Sequence, residues 1–278
     1  MPDKLSDQIV SLVELLLLLV GILLIWRHVL SPSARARRRA EPPPLPLWTI
    51  RASDFLLFAL LIVAGGLVGS FVAGAALAPF KVSRDTITIV SSAAFQLGLL
   101  LGAAIAPLGL GHPPLRPGLD RAAGLSGVAT FLIALPIVAV ASLAWLGVLK
   151  LTGLPAEQQD LLRMFAQADS LPVLTLLIVL ATVVAPMAEE LLFRATLFRY
   201  LRGRLPRWIA LLGPGMIFAS LHVNWVTLDG LASFVPLTTL AVVFSLAYER
   251  TGRIATAIVA HAIFNLHTIL LLFAGVTA

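Results

Sequence analysis

The sequence contains no cysteine, which excludes a disulfide scaffold, an iron–sulfur cluster, a thiolate zinc site and a cysteine nucleophile. It is also poor in charge: 12% of its 278 residues are Asp, Glu, Lys or Arg, about half the share that soluble domains carry. By contrast, 59% of the residues are hydrophobic and the mean hydropathy is +0.98. This composition excludes a disordered protein, a nucleic-acid-binding module and an ordinary cytosolic enzyme. It indicates a polytopic helical membrane protein.

Long runs almost free of charge follow one another along the chain, and each approaches or exceeds the roughly 20 apolar residues that a helix needs to cross a bilayer. The first run is interrupted by Glu14, which we place near the membrane interface. We therefore predict an all-α, polytopic transmembrane bundle of about eight helices. The predicted spans are 9–26, 55–80, 86–115, 122–149, 170–188 with a continuation to about 201, 208–228, 230–248 and 254–278.

The arginines and lysines fall mostly into alternate loops, after the first, third, fifth and seventh predicted spans, and the densest run is 35–39. Positive charge is enriched in cytoplasmic loops, so these loops are predicted to be cytoplasmic and both termini to face the other side. The net charge of +6 then reflects topology and contact with anionic lipid. Membrane lipid is therefore the expected partner, and nucleic acid is not.

Two connections between spans divide the chain. Residues 31–46 are rich in Arg and Pro and predict an extended, solvated cytoplasmic loop. Residues 154–171 combine charges with apolar side chains at helical spacing, which predicts an amphipathic helix on the outer surface or above the mouth of a site. We assign 1–171 to an N-terminal region with helices one to four, and 172–278 to a C-terminal region with helices five to eight.

The fifth predicted span contains two adjacent acids, Glu189 and Glu190, in a segment otherwise suited to the hydrocarbon region. Each acid near the bilayer centre costs roughly 2.5–3.5 kcal/mol on insertion scales, so the pair requires compensation. Arg194 follows Glu190 by four residues, a spacing that permits an ion pair. Glu189 is rotated by about 100° from Glu190, which leaves it free to face the interior of the bundle.

The sixth and eighth spans add polar groups at comparable depth. Phe218 and His222 are four residues apart and share a face, as do His261 and Asn265. At 1.5 Å per residue from the basic loops, Glu189 and His222 lie about 20 Å deep and His261 and Asn265 about 12–18 Å deep. The pattern predicts a shared polar pocket within the bilayer. Polar contacts that only join helices are the alternative interpretation.

Three short motifs occur in order on these successive hydrophobic helices: EExxxR from Glu189 to Arg194, FxxxH from Phe218 to His222, and HxxxN from His261 to Asn265. Together they resemble the CPBP family of intramembrane proteases, which includes the CAAX prenyl proteases of the Rce1 type and the bacterial Abi proteins. The resemblance covers about residues 172–273. Helices one to four show no feature that matches the family.

The resemblance implies an intramembrane endopeptidase that hydrolyses a peptide bond of a membrane-anchored or lipid-modified, CAAX-type protein or peptide. Peptide hydrolysis needs an activated water and donors for the developing oxyanion. By resemblance, Glu189 activates the water, His222 helps to hold and polarise it, and His261 and Asn265 donate to the oxyanion.

The remaining motif residues are then supporting residues. Glu190 and Arg194 would form an ion pair that fixes the backbone of the fifth helix, and Phe218 shares the face of the sixth helix with the motif histidine. One departure from the family pattern is Ala195, where many members have glycine after the arginine. This change alters local packing and leaves the chemistry intact.

A second mechanism uses the same groups differently. Glu189, His222 and His261 are a plausible three-ligand catalytic zinc site with an open position, and the family is often described as metalloproteases. The absence of an HExxH motif favours the metal-free glutamate mechanism. No cofactor is therefore required by the sequence, and zinc is the one that these residues allow.

Two further classes compete with the protease. A non-enzymatic immunity, chaperone, sensor or scaffold protein would retain the polar cluster for binding. A proton-coupled transporter would use intramembrane Glu and His as a relay, but polar groups confined to three helices make it the weaker hypothesis. Because the sequence shows no targeting motif, we expect a multi-pass protein of the plasma membrane.

Overall fold

The computed structural model describes residues 4–46, 48–109, 118–156, 165 and 171–275, and within these ranges the chain is helical without a β-strand. The predicted all-α fold is confirmed. In chain order the helices are α1 (Lys4–Ile25), α2 (Pro32–Ala40), α3 (Ala52–Leu77), α4 (Arg84–Gly109), α5 (Arg121–Thr152), α6 (Leu171–Arg202), α7 (Arg207–Ser220), α8 (Phe234–Thr251) and α9 (Ile254–Phe273).

Seven helical stretches of this described part are long and apolar enough to cross a membrane, which supports an integral membrane protein. They correspond to α1, α3, α4, α5, α6, α8 and α9. The sixth predicted span, 208–228, is the exception, because α7 has 14 residues and is thus about 21 Å long. Seven spans and this shorter helix agree with the predicted count of about eight.

A tight turn after α7 explains why that helix is short. The side-chain oxygen of Asn224 accepts hydrogen bonds from the backbone N–H groups of Val226 and Thr227, at 3.0 and 3.3 Å. Leu228 and Gly230 then adopt positive φ values of 64° and 80°. An Asn side chain that bonds to the following backbone favours a turn over a helix, so the apolar run from 208 does not continue as one span.

The prediction of an extended loop over 31–46 is wrong for its first part, which forms α2. Ser31 caps this helix, since its Oγ accepts from the Ala34 N–H at 3.2 Å, and Pro32 occupies the first turn. The Ala and Arg residues that follow are strong helix formers. The second part lies on the C-terminal region, where the side chain of Arg199 donates to the carbonyl of Pro46. Just beyond this segment, Arg204 donates to the carbonyl of Trp48.

Helices α3 and α4 form a close pair through glycine. A Cβ atom added at Gly65 or Gly98 would collide with the backbone carbonyl of the other residue, so the two backbones touch. Such small-residue contacts are a main means of helix association in membranes. The other side of α4 contacts α6 around its Ala185–Glu190 segment, which places the N-terminal region against the acidic pair.

The apolar core joins both regions. Phe58 of α3, Phe131 of α5, Leu191 of α6 and Phe244 of α8 belong to one buried cluster. Helix α5 contacts α1, α8 and α9, whereas α1 lies at the periphery with 6% of its span buried. Residues 157–164 and 166–170, which form most of the predicted amphipathic helix over 154–171, lie outside the described residues.

Candidate active site

The backbone of α6 departs from regular α-helical winding on both sides of the acidic pair. Two stretches, Leu180–Val184 and Leu191–Phe198, are wound as π-helix, and the regular segment Ala185–Glu190 lies between them. Pro186 has no N–H and its ring disfavours a regular preceding turn, which accounts for the first π stretch. Wide turns of this kind occur frequently at functional sites.

This π stretch leaves one carbonyl for the last helix. The Ala185 N–H donates to the carbonyl of Leu180, and Pro186 has no N–H, so the Ala181 carbonyl lacks its intrahelical donor. Asn265 of α9 donates to it instead, with Nδ2 and the carbonyl oxygen 2.8 Å apart. Asn265 therefore ties α9 to α6 through a backbone group that the proline releases.

Glu190 links α6 to α9 inside the bundle. Its Oε1 accepts a hydrogen bond from His261 Nδ1 at 2.8 Å and lies 2.9 Å from Arg194 NH1. All three residues are buried, with exposed fractions of 0% for Glu190, 1% for Arg194 and 4% for His261. The 2.9 Å distance agrees with the Glu190–Arg194 ion pair expected from helical spacing. The hydrogen bond to Glu190 adds His261 to this pair.

The ion pair is close but poorly aligned. Neither terminal nitrogen of Arg194 has a hydrogen-bond partner with good geometry among the described residues, and Glu190 Oε2 has none either. Aromatic rings surround the guanidinium instead: its carbon lies 4.9 Å from the ring centre of Phe218 and 5.7 Å from that of Phe244. Cation–π contacts of this kind are strongest where the cation is desolvated.

Glu189 points away from Glu190, as the 100° rotation predicts, and reaches two other helices. Its Oε2 lies 3.8 Å from His261 Nε2, beyond hydrogen-bond length but within range of a charge interaction. Its Oε1 accepts a long hydrogen bond of 3.4 Å from Gln96 Nε2 of α4. The Glu189 side chain is 17% exposed, so it is less enclosed than its neighbour.

His222 follows the C-cap of α7 and is held by the preceding turn. Its Nδ1 lies 2.8 Å from the carbonyl oxygen of Phe218, so Nδ1 carries the proton and donates. The Phe218 ring is 4.7 Å from the His222 ring and 6.1 Å from the His261 ring, centre to centre. Phe218 thus contacts both imidazoles and the guanidinium. In each histidine Nδ1 makes the hydrogen bond, and Nε2 lies on the other side of the ring.

The structure therefore brings most of the predicted site residues into one cluster. Direct polar contacts or ring contacts connect Glu189, Glu190, Arg194, Phe218, His222 and His261. Asn265 lies one turn further along α9 and is bonded to the Ala181 carbonyl. No direct contact joins it to the Glu189 carboxylate among the hydrogen bonds of the described part.

A zinc ion would need three protein ligands at about 2.0–2.2 Å. Among the residues that the structure describes, no group of three His, Asp or Glu side chains converges in a way that could hold a metal. The arrangement of Glu189, His222 and His261 in this structure does not fit that ligand set, and no step of the reaction is derived through a metal.

Sequence reasoning missed Gln96, which the structure places against Glu189. The sequence contains a signal for this residue, because Gln96 is the single amide side chain in the span Thr86–Leu108, which carries no charge. A buried polar group in a membrane span is costly unless it has a partner or a function. The partner could not be named without knowing which face of α4 meets α6.

The fold and the site define a polytopic helical membrane protein with carboxylate, imidazole and guanidinium groups buried in its C-terminal half. Residues 171–267 match the family model described as type II CAAX prenyl endopeptidase Rce1-like. This match confirms the resemblance to the CPBP family and supports, at the level of the family, a CAAX-type intramembrane protease. No curated protein and no solved structure matches the chain.

Proposed function

We propose that this protein is an intramembrane endopeptidase that hydrolyses a peptide bond of a membrane-anchored or lipid-modified protein or peptide, with Glu189 as the base that activates water. The observation that carries this proposal is the position of Glu189, which lies between Gln96 and His261 within an apolar bundle. A carboxylate there can accept a proton from water in surroundings that strengthen electrostatic interactions.

The two histidines have different tasks in this proposal. His222 donates through Nδ1 to a carbonyl, so its Nε2 is an acceptor that holds one hydrogen of the water. Glu189 accepts the other hydrogen as the water oxygen attacks the peptide carbonyl carbon. When the tetrahedral intermediate collapses, the C–N bond breaks and the proton passes from Glu189 to the leaving nitrogen.

The oxyanion is stabilised from α9. Glu190 accepts from His261 Nδ1, and in the proposed step the Nε2–H on the other side of the ring donates to the oxyanion. Asn265 has a second N–H on the amide that bonds to Ala181, and this N–H is its contribution to the same oxyanion. Arg194 holds Glu190 on α6 and is a supporting residue.

The family match and the position of the site inside the bundle support this substrate class. A membrane-anchored chain of the CAAX type carries its scissile bond close to the bilayer, where soluble peptides have little access. We place the enzyme in the plasma membrane. Membrane lipid surrounds the exposed apolar side chains of the spanning helices.

The decisive test is Glu189→Gln, assayed against a panel of membrane-anchored peptides with the protein in lipid nanodiscs. Loss of the base should lower kcat by at least about 100-fold, while the thermal unfolding temperature stays close to that of the wild type. Glu14→Gln is the matched control, because it makes the same chemical change in a membrane span away from the site.

The alternatives predict other results. A non-enzymatic immunity or scaffold protein would retain its phenotype in Glu189→Gln, and neither variant nor wild type would cleave the panel. A zinc enzyme would lose activity in a strong chelator and regain it when zinc is added back. The glutamate mechanism predicts activity that is unaffected by the chelator.

A further inference from the structure

We infer that Gln96 of α4, outside the segment that matches the family model, is a positioning residue that orients the Glu189 carboxylate for catalysis. The inference deepens the proposed function and rests on it. It assigns to the N-terminal region a direct part in the chemistry, for which the three motifs of the C-terminal region give no indication.

The two oxygens of the Glu189 carboxylate face two different helices. Oε1 accepts from Gln96 Nε2 at 3.4 Å, and Oε2 faces His261 Nε2 at 3.8 Å. A glutamate side chain has a broad terminal torsion, so a carboxylate with one contact rotates readily. Contacts on both oxygens, from α4 and from α9, fix its plane. The long bond to Gln96 is typical of catalytic hydrogen bonds without substrate, which shorten when the substrate binds.

The other end of the amide distinguishes Gln96 from a residue that only joins helices. An ionised carboxylate only accepts hydrogen bonds, so the NH₂ group of Gln96 must face Glu189 and its Oε1 must face elsewhere. Gln96 Oε1 is buried and has no hydrogen-bond partner among the described residues. A glutamine that only joined two helices would be expected to bond at both ends, since buried polar groups are nearly always paired. The amide of Gln96 therefore makes its one hydrogen bond to the Glu189 carboxylate, which is what orienting that carboxylate requires.

Helix α4, which carries Gln96, is packed closely against α3 through glycine. Gly98 touches the backbone of α3 at Gly65, and Gln96 lies two residues earlier, about 200° around the helix. When Gly98 faces α3, Gln96 therefore faces the opposite side, where α4 contacts the Ala185–Glu190 segment of α6. The glycine contact sets the direction of the amide.

The test uses Gln96→Met, which keeps the length of the side chain and removes the amide. Assayed as the full chain in nanodiscs, it should lose roughly 10- to 100-fold in kcat, the equivalent of one hydrogen bond to a charged group. KM and the unfolding temperature should stay unchanged. Gln8→Met makes the same substitution at an exposed position of α1 and should retain full activity.

A second variant tests whether position 96 faces the Glu189 carboxylate in the working enzyme. Gln96→Glu places a carboxyl group against Glu189, and two facing carboxyl groups resist being ionised together. The acidic limb of the kcat/KM profile should therefore move to higher pH, and it should stay unchanged if side chain 96 does not face Glu189 in the working enzyme. This profile also decides the question if Gln96→Met does not fold.

The outcomes are distinct. Wild-type kcat in Gln96→Met, or an unshifted pH profile in Gln96→Glu, overturns the inference and leaves the protease intact. A folded wild type that cleaves no membrane-anchored peptide overturns the proposed function and the inference with it.

Discussion

Two glutamates of this protein are equally buried but differently paired. Glu190 has an exposed fraction of 0% and Glu249 of 1%. Glu249, near the end of α8, accepts from Arg202 Nε at 2.6 Å on one oxygen and from Arg207 NH2 at 2.6 Å on the other. Glu190 uses a single oxygen for both His261 and Arg194, and its second oxygen has no partner in the described part of the chain.

The surroundings explain the difference. The arginines that bind Glu249 have side chains that are 28% and 47% exposed, so water solvates what the carboxylate leaves free. This network joins the end of α6, the start of α7 and the end of α8. The Arg194 side chain is 2% exposed, and protein surrounds Glu190 together with Arg194 and His261. A fully satisfied network stabilises a fold, whereas a partly satisfied one in a low-dielectric interior is costly, and a functional role is one reason for a protein to keep it.

The largest loss of stability is expected when Arg194 is replaced. In Arg194→Met the Glu190 carboxylate stays buried without its cation, and breaking a buried pair in this way costs about 3–5 kcal/mol of unfolding free energy. We expect the unfolding temperature in nanodiscs to fall steeply and peptide hydrolysis to be lost. Thermal unfolding followed by circular dichroism measures the first effect.

A double variant sharpens this prediction. Glu190→Gln together with Arg194→Met removes both charges, so stability should recover in part relative to the single variant. Hydrolysis should not recover, because His261 has then lost its carboxylate partner. Additive losses of stability in the double variant would show that the two side chains do not act as a pair.

Glu249→Gln should have a smaller effect on stability and none on turnover. The substitution removes the charge that organises two partly exposed arginines, and we expect a loss of about 1–3 kcal/mol. Since Glu249 has no contact with the motif residues, kcat should remain that of the wild type. A fall in kcat that exceeds the loss of folded protein would contradict the division between a structural and a functional glutamate.

Much of the fold could be predicted from the sequence, because long apolar runs have few alternatives in a bilayer. The motif residues could be chosen from their cost in the membrane and, for Glu190 and Arg194, from helical spacing. Helical spacing predicts contacts only between residues of the same helix. The bond from Glu190 to His261 depends on how α6 and α9 are rotated against each other, which tertiary packing decides.

Local chemistry explains the other differences. The length of α7 depends on a turn that Asn224 stabilises, and α2 depends on the cap at Ser31. Composition had indicated a long span and an extended loop at these places. The bond from Asn265 to Ala181 follows from Pro186, whose missing N–H frees a carbonyl on α6. The proline was visible in the sequence, but the carbonyl that it leaves without a donor depends on the π-helical winding.

A third glutamate gives the low end of the comparison. Glu14 of α1 lies 2.8 Å from His267 Nε2 of α9, and its side chain is 27% exposed, so this glutamate is less buried than Glu190 or Glu249. Glu14→Gln keeps an acceptor for the imidazole and removes only the charge. Polar contacts between membrane helices contribute about 0.6 kcal/mol on average and up to about 1.7, so the loss should stay within that range. Hydrolysis should be unchanged, since α1 is peripheral and has no polar contact with the motif residues.

Steric trapping in bicelles can measure so small a difference in unfolding free energy. A loss as large as that of Arg194→Met would mean that burial alone does not determine how much a buried carboxylate contributes to stability.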